Sequence, residues 1–233
     1  MYTLHIGNKN YSSWSLRPWI LMRELGIPFQ ERLHIFGPKF NARVEAKSPS
    51  GRVPVLHDGE RVIWDSLSIA EYLAEKHQGV WPVDAGERAW ARSVAAEMHS
   101  SYAALRNYCS MSCGTRMRLK EFPQALREDI ARLEAVWSEG LKRSGGPFLC
   151  GKSFGAVDAF FAPVAFRWQT YGFDLSPAAR DYVQRLLALP GMKEWYASAL
   201  AEPYREDAHE AEVRGYATLV QDLRSSAGAS APA

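Results

Sequence analysis

The feature that most restricts the fold of this chain is a change of periodicity near residue 80. Before it, short apolar runs alternate with helical stripes; after it, every strong signal is helical. Residues 2–6 form an alternating, largely apolar run and read as a strand. The serines at 12, 13 and 15 supply cap residues, Trp19, Ile20, Leu21 and Leu25 make a helical stripe, and Gly26 ends it. Residues 29–35 read as a second strand and 41–47 as a short, weak helix. Residues 54–57 and 61–64 are two strands joined across Asp58-Gly59, the strongest hairpin signal in the chain. Residues 65–76 are a helix, with Leu67, Ile69, Ala70, Tyr72 and Leu73 mostly apolar.

The order is therefore strand-helix-strand-helix-strand-strand-helix, a small three-layer α/β unit. Helices between the early strands favour parallel pairing, and the last two strands form an antiparallel hairpin. Beyond Gly79-Val80-Trp81-Pro82 no strand is expected. Helical stretches are predicted over 87–108, 123–142, 154–171, 178–189 and 192–200. The second presents Leu126, Ile130, Leu133, Val136, Trp137 and Leu141 on one face, and the third is apolar almost all round, as a central buried helix is. The expected organisation is α/β plus all-α: an N-terminal unit over 1–79, a helical bundle over 86–224, and a small, polar, disordered tail over 225–233.

Bulk properties exclude several classes. The chain has 233 residues, 47% hydrophobic and 23% charged, with a net charge of +2 and no block of Lys or Arg, so no nucleic-acid footprint is expected. No run of eighteen apolar residues indicates a membrane span. The N-terminus lacks the basic, apolar and small-residue sequence of a signal peptide. Three cysteines, Cys109, Cys113 and Cys150, are too few and odd in number for a disulfide framework, which fits a reducing cytoplasm. Cys109 and Cys113 are one helical turn apart, but no histidine cluster accompanies them, so no metal site is expected.

Three short segments carry the candidate chemistry. Tyr11-Ser12-Ser13-Trp14-Ser15-Leu16-Arg17 opens the first helix. A serine there serves as an ordinary cap, or it donates a hydrogen bond to an anion held at the positive helix end. A thiolate is such an anion, and it is the nucleophilic form of a thiol. Gly51-Arg52-Val53-Pro54-Val55 puts a proline at a strand start, either as a plain trans residue or as a cis peptide that presents Val53 to a peptide ligand. Asp65-Ser66 opens the third helix as a cap, and the same groups suit a ligand's carboxylate and ammonium ends.

In this order, ahead of a helical domain, the segments resemble the cytosolic glutathione transferase superfamily over roughly residues 1–220. The serine segment is most similar to that of the zeta class. The resemblance implies a thioredoxin-like glutathione-binding domain, a helical domain that supplies the electrophile pocket, a homodimer, and glutathione as co-substrate without a metal. It puts the thiolate-activating serine at Ser12, with Ser13 close behind, and the glutathione contacts at Trp14, Arg52, Val53, cis Pro54, Asp65 and Ser66. It also implies a pocket drawn from Met98, Tyr102, Arg106, Trp168 and Tyr171. Phe154-Gly155-Ala156-Val157-Asp158 matches the family's buried capping box, with Asp158 structural and glycine replacing the hydroxyl cap. The zeta segment has a cysteine where this chain has Trp14, which sets this chain apart from the zeta isomerase reaction. The activity implied is attack of glutathione on a small hydrophobic electrophile. A non-catalytic binding module and a glutathione-dependent isomerase are the alternatives.

Overall fold

The computed structural model describes residues 1–225; the expected tail lies, from residue 226 on, outside the described residues. Strands β1 (Tyr2–Gly7), β2 (Phe29–His34), β3 (Val55–Asp58) and β4 (Arg61–Trp64) make one sheet in the order β2-β1-β3-β4. Leu4 and Ile6 of β1 are fully buried beneath helix α1 (Ser13–Glu24), which carries Leu16, Trp19 and Ile20 in the same core. Gly26 follows α1 in the left-handed conformation (φ +65°) that a helix-ending glycine tolerates. Helix α2 (Phe40–Glu45) is short, and α3 (Ser66–Ala74) packs on β3 and β4. The β3–β4 hairpin turns at Gly59 (φ +61°), as Asp58-Gly59 predicts.

The β3–β4 hairpin is antiparallel as expected, but the expected parallel pairing of the earlier strands holds for only one pair. β1 and β2 are parallel, but β3 joins the other edge of β1 antiparallel, Leu4 opposite Leu56. The α2 connection therefore does not return the chain to a parallel neighbour as an ordinary crossover does. Order and polarity match a thioredoxin-like unit.

The second half contains α4 (Ala85–Ser100), α5 (Ala103–Tyr108), α6 (Gln124–Ser144), α7 (Ala156–Tyr171), α8 (Pro177–Ala188), α9 (Pro190–Ala201) and α10 (Asp207–Tyr216). Three features depart from the sequence reading. The helix expected over 87–108 is two helices. Ser101 is extended and Tyr102 left-handed (φ 62°), while the Arg106 guanidinium folds back to donate to the carbonyls of Met98 and Ser101, closing the end of α4. Strands do occur: β5 (Thr115–Leu119) pairs antiparallel with β6 (Ala217–Asp222). Each is five or six residues long and mostly polar or exposed, and its partner lies about a hundred positions away, so no local pattern announces it. Helix α10 was not expected at all.

Helix α7 is the centre of this half, with 14 of its 16 residues buried and α1, α4 and α8 packed on it. Asp158, in its first turn, is fully buried and accepts from Leu149 N–H (3.1 Å), Gly155 N–H (3.1 Å) and Tyr182 O–H (2.9 Å). Gly155 has no side chain to return the bond, so the box is one-sided, as the sequence indicates. Burial raises the Asp158 carboxyl to about 6 against the pull of these three donors.

Asp158→Ala leaves three buried donors without an acceptor, and at about 1–3 kcal/mol for each such group it removes roughly 3 kcal/mol or more of stability. Asp158→Asn, with one acceptor oxygen, loses less. Because the folded-state pKa is raised above the unfolded value of about 3.9, the contribution of Asp158 is fully present below about pH 4 and declines as pH rises through 6. Urea midpoints of wild type relative to Asp158→Asn should therefore fall between pH 4 and 7; a pH-independent difference, or an unaltered midpoint for Asp158→Ala, contradicts the structural role.

Candidate functional site

The three sequence segments converge at the N-terminus of α1. Ser12 occupies the cap position but makes no side-chain bond to the helix end. Its hydroxyl instead donates to Ser15 Oγ (2.7 Å), which also accepts the Gly7 amide from the end of β1 (3.1 Å). Ser13 Oγ accepts from the Arg167 guanidinium of α7 (3.4 Å). The Val53–Pro54 bond is cis, as the resemblance implies. Asp65 caps α3 by accepting from Leu67 N–H (2.8 Å), with its own backbone left-handed (φ 73°). Ser66 Oγ, the first residue of that helix, accepts from Arg17 (3.3 Å).

Two contiguous clefts of about 360 Å³ each meet here, with Trp14, Arg52 and Val53 in the wall of both. One exposes Ser12 and Ser13 together with Phe36, Phe40, Arg106 and Arg167. The other exposes Ser50, Pro54, Trp64, Asp65 and Ser66. All eight site residues named from the sequence thus line one continuous depression.

The electrophile-pocket residues named from the sequence fare less well. Arg106 lines the serine cleft. Met98 and Tyr102 are buried in the core, Trp168 packs against it, and Tyr171 turns its hydroxyl to the Ser110 carbonyl and faces a separate groove beside Phe122. Met98 faces the core from within α4, and Tyr102 sits at the break in the expected 87–108 helix. Residues not named from the sequence take part instead: Tyr11, Phe36, Phe40, Ser110, Arg167 and His209. Of these, only Arg167 carried a readable signal, as a lone cation in the apolar 154–171 stretch.

The electrostatics are one-sided. Arg17 is 1% exposed and stacks between Trp14 (4.2 Å) and Phe160 (4.8 Å). Arg106 lies over the same Trp14 ring (4.9 Å). Burial first, and then neighbouring guanidiniums, hold Arg17 well below the usual arginine range and Arg106 at about 10. Arg167 is lowered by burial too. Among the described residues none of the three makes a salt bridge; Asp65 attracts Arg17 only at a distance. Two buried guanidiniums and a half-buried one, without a salt bridge among the described residues and close to a helix N-terminus, form a place for an anion.

A thioredoxin-like sheet with a cis proline, joined to a helical domain that closes a cleft over its first helix, defines a glutathione-transferase-type protein. Comparison with known proteins agrees. The profile of the glutathione S-transferase N-terminal domain matches residues 11–76, and that of the C-terminal domain matches residues 116–198. Glutathione S-transferase 1 of Dianthus caryophyllus is 31% identical over 175 residues, spanning 71% of this chain and 77% of that protein. A probable maleylacetoacetate isomerase of Vibrio cholerae is 27% identical over 167 residues, 68% of this chain and 77% of its own. A crystal structure of a glutathione transferase homologue from Burkholderia GL BGR1, with bound glutathione, superposes with a TM-score of 0.64 at 22% identity, covering 85% of this chain and 97% of that one; this similarity speaks to the fold. The chain belongs to the glutathione S-transferase family.

Because an unpaired buried cation is costly to desolvate, replacing it with an apolar side chain of similar length relieves a penalty while removing contacts. Arg17→Met should leave the unfolding free energy within about 1 kcal/mol of wild type or raise it. A loss of several kcal/mol in urea denaturation contradicts the view that Arg17 is held for the site rather than for the fold.

Proposed function

We propose that this transferase binds glutathione along the double cleft and uses the serine pair Ser12–Ser13 to stabilise its thiolate for attack on a small hydrophobic electrophile. The observation that carries the reading is the convergence of three distant segments on one depression around Trp14. Residues 1–79 act as the glutathione-binding unit, and 86–224 supply the wall for the electrophile. Ser66 and the free amides that open α3 take the γ-glutamyl carboxylate, Asp65 its ammonium group, and the Val53 backbone pairs with the cysteinyl part. Arg52 flanks the ligand at the cleft wall. The cysteine sulfur then lies over the start of α1, where helix end and guanidiniums favour the anion over the thiol.

The chemistry needs little else. The thiol proton leaves to solvent, the sulfur forms a bond to the electrophilic carbon, and the displaced group departs with its electron pair or the adjacent π bond takes up the charge. Trp14 stands where the zeta segment carries cysteine, which supports conjugation over isomerisation, although the Vibrio cholerae relative is named for the latter. The enzyme works as a homodimer in the cytoplasm, where its three cysteines, all unpaired in the structure, stay reduced. Its role is detoxification.

Adding glutathione at neutral pH should produce a thiolate band in the ultraviolet difference spectrum, and Ser66→Ala should weaken glutathione binding about tenfold, the equivalent of one charge-assisted hydrogen bond. Glutathione binding without a thiolate band, and without turnover of aryl halides or enones, would identify a non-catalytic module. Turnover that leaves the glutathione concentration unchanged would identify an isomerase.

A further inference from the structure

Hydrogen-bond accounting separates the two serines. A hydroxyl has one proton to give and two lone pairs with which to accept. Ser12 spends its proton on Ser15 Oγ, 2.7 Å away, and Ser15 is anchored in turn by the Gly7 amide. Its hydroxyl is thus tied into the β1–α1 turn. Ser13 is the reverse case. Its oxygen accepts from Arg167 Nη2 (3.4 Å), and among the described residues no protein acceptor takes its proton. A serine whose oxygen is already engaged by a cation and whose proton is uncommitted is the better donor to an anion in the cleft, because each bond polarises the next.

Arg167 is built for this position. It is 4% exposed, projects from the most buried helix of the molecule, and makes no salt bridge among the described residues. Its second terminal nitrogen donates to the Cys109 carbonyl at the end of α5, so the guanidinium is held by one backbone group and offered to Ser13 by the other arm. The titratable groups lining the serine cleft are Tyr11, Arg52, Arg106, Arg167 and His209, with no carboxylate among them in the described residues. Nothing in the cleft wall neutralises the guanidinium; its counter-ion has to arrive with the ligand.

We propose that Arg167 is a positioning residue for the transferase reaction: it orients and polarises Ser13, so that Ser13 rather than Ser12 donates the hydrogen bond to the glutathione thiolate. The assignment rests on the transferase reading above. In the step it supports, the glutathione S–H proton passes to solvent water, the Ser13 proton stays on its own oxygen while hydrogen-bonded to sulfur, and Arg167 remains protonated throughout.

The test is a titration of the thiolate band of bound glutathione in wild type, Ser12→Ala, Ser13→Ala, Arg167→Lys, Arg167→Gln and the Ser13→Ala/Arg167→Gln double variant, with glutathione affinity measured in parallel. Ser13→Ala should raise the thiolate pKa more than Ser12→Ala does. Arg167→Gln should raise it by about one unit and lower the rate at neutral pH about tenfold, with a smaller change in glutathione Kd. Arg167→Lys, which keeps the charge, should recover part of that shift. The double variant should shift no further than Ser13→Ala alone, since the arginine acts through the serine. If Arg167→Gln does not fold, the serine variants and Arg167→Lys decide the matter. A thiolate pKa unmoved in both arginine variants, full additivity in the double variant, or a larger shift in Ser12→Ala each overturns the proposal while leaving the transferase reading intact. Absence of glutathione binding by the wild type defeats both.

Discussion

The burial of two opposite charges on helix α7 is the condition on which the rest of the structure depends. A helix enclosed on nearly every side gains from apolar contact all round, and 14 of the 16 residues of α7 are buried. Asp158 and Arg167 are the exceptions, and each links α7 to something that packing alone leaves free. Asp158 gathers the loop before the helix, through Leu149 and Gly155, and α8, through Tyr182. Arg167 reaches the end of α5 at Cys109 and the start of α1 at Ser13. The first set of bonds fixes how the helical half closes on itself; the second fixes how it meets the thioredoxin-like half. The distance between the two halves, and so the width of the cleft, follows from where one helix is held.

The two charges are answered differently. Asp158 meets three donors and has a neutral form within reach of ordinary pH, so its burial is tolerable in any ligand state. Arg167 has no neutral form accessible to it in practice, and it is given one carbonyl and one hydroxyl. Arg17 and Arg106 repeat the pattern: backbone carbonyls, serine or aromatic faces, and no salt bridge among the described residues. Desolvation without a counter-ion raises the free energy of the empty protein, and an anion entering the cleft lowers it. Ligand affinity and fold stability are therefore coupled here through charge, and a neutral thiol gains much less from the coupling than its thiolate. The same asymmetry that weakens the apo state selects the reactive ionisation state of the ligand.

Much of this was legible in the sequence wherever the signal is local. The βαβ opening, the Asp58-Gly59 hairpin, the Gly26 helix end and the apolar character of 154–171 all depend on residues within a few positions of one another, and all appear in place. The serine, proline and acid-serine segments were also readable, because each sits at an element end whose backbone geometry its own residues impose. What escaped was set from far away. The β5–β6 ribbon joins segments about a hundred residues apart with little apolar content of their own. The antiparallel placement of β3 is decided by which edge of β1 remains open. The break at Ser101–Tyr102 depends on Arg106 folding back on carbonyls of the preceding turn. Arg167 is the one cation in the apolar 154–171 stretch, yet its partner Ser13 is 154 positions earlier, and no periodicity connects them.

Trp14 shows how one substitution relative to the zeta pattern reorganises such a site. A cysteine at this position contributes a small, reactive thiol beside the serines. Indole contributes neither; it supplies a broad π face, over which Arg17 and Arg106 both lie, and an edge against His99. A ring with negative faces eases the proximity of two guanidiniums that otherwise repel, and it does so without placing a carboxylate where an anionic ligand must bind. Trp14 is also the wall common to both clefts, so it shapes the two together. The chain thereby exchanges a second nucleophile for a concentrated positive field, an exchange that suits stabilising the thiolate of a bound ligand better than chemistry performed by a thiol of its own.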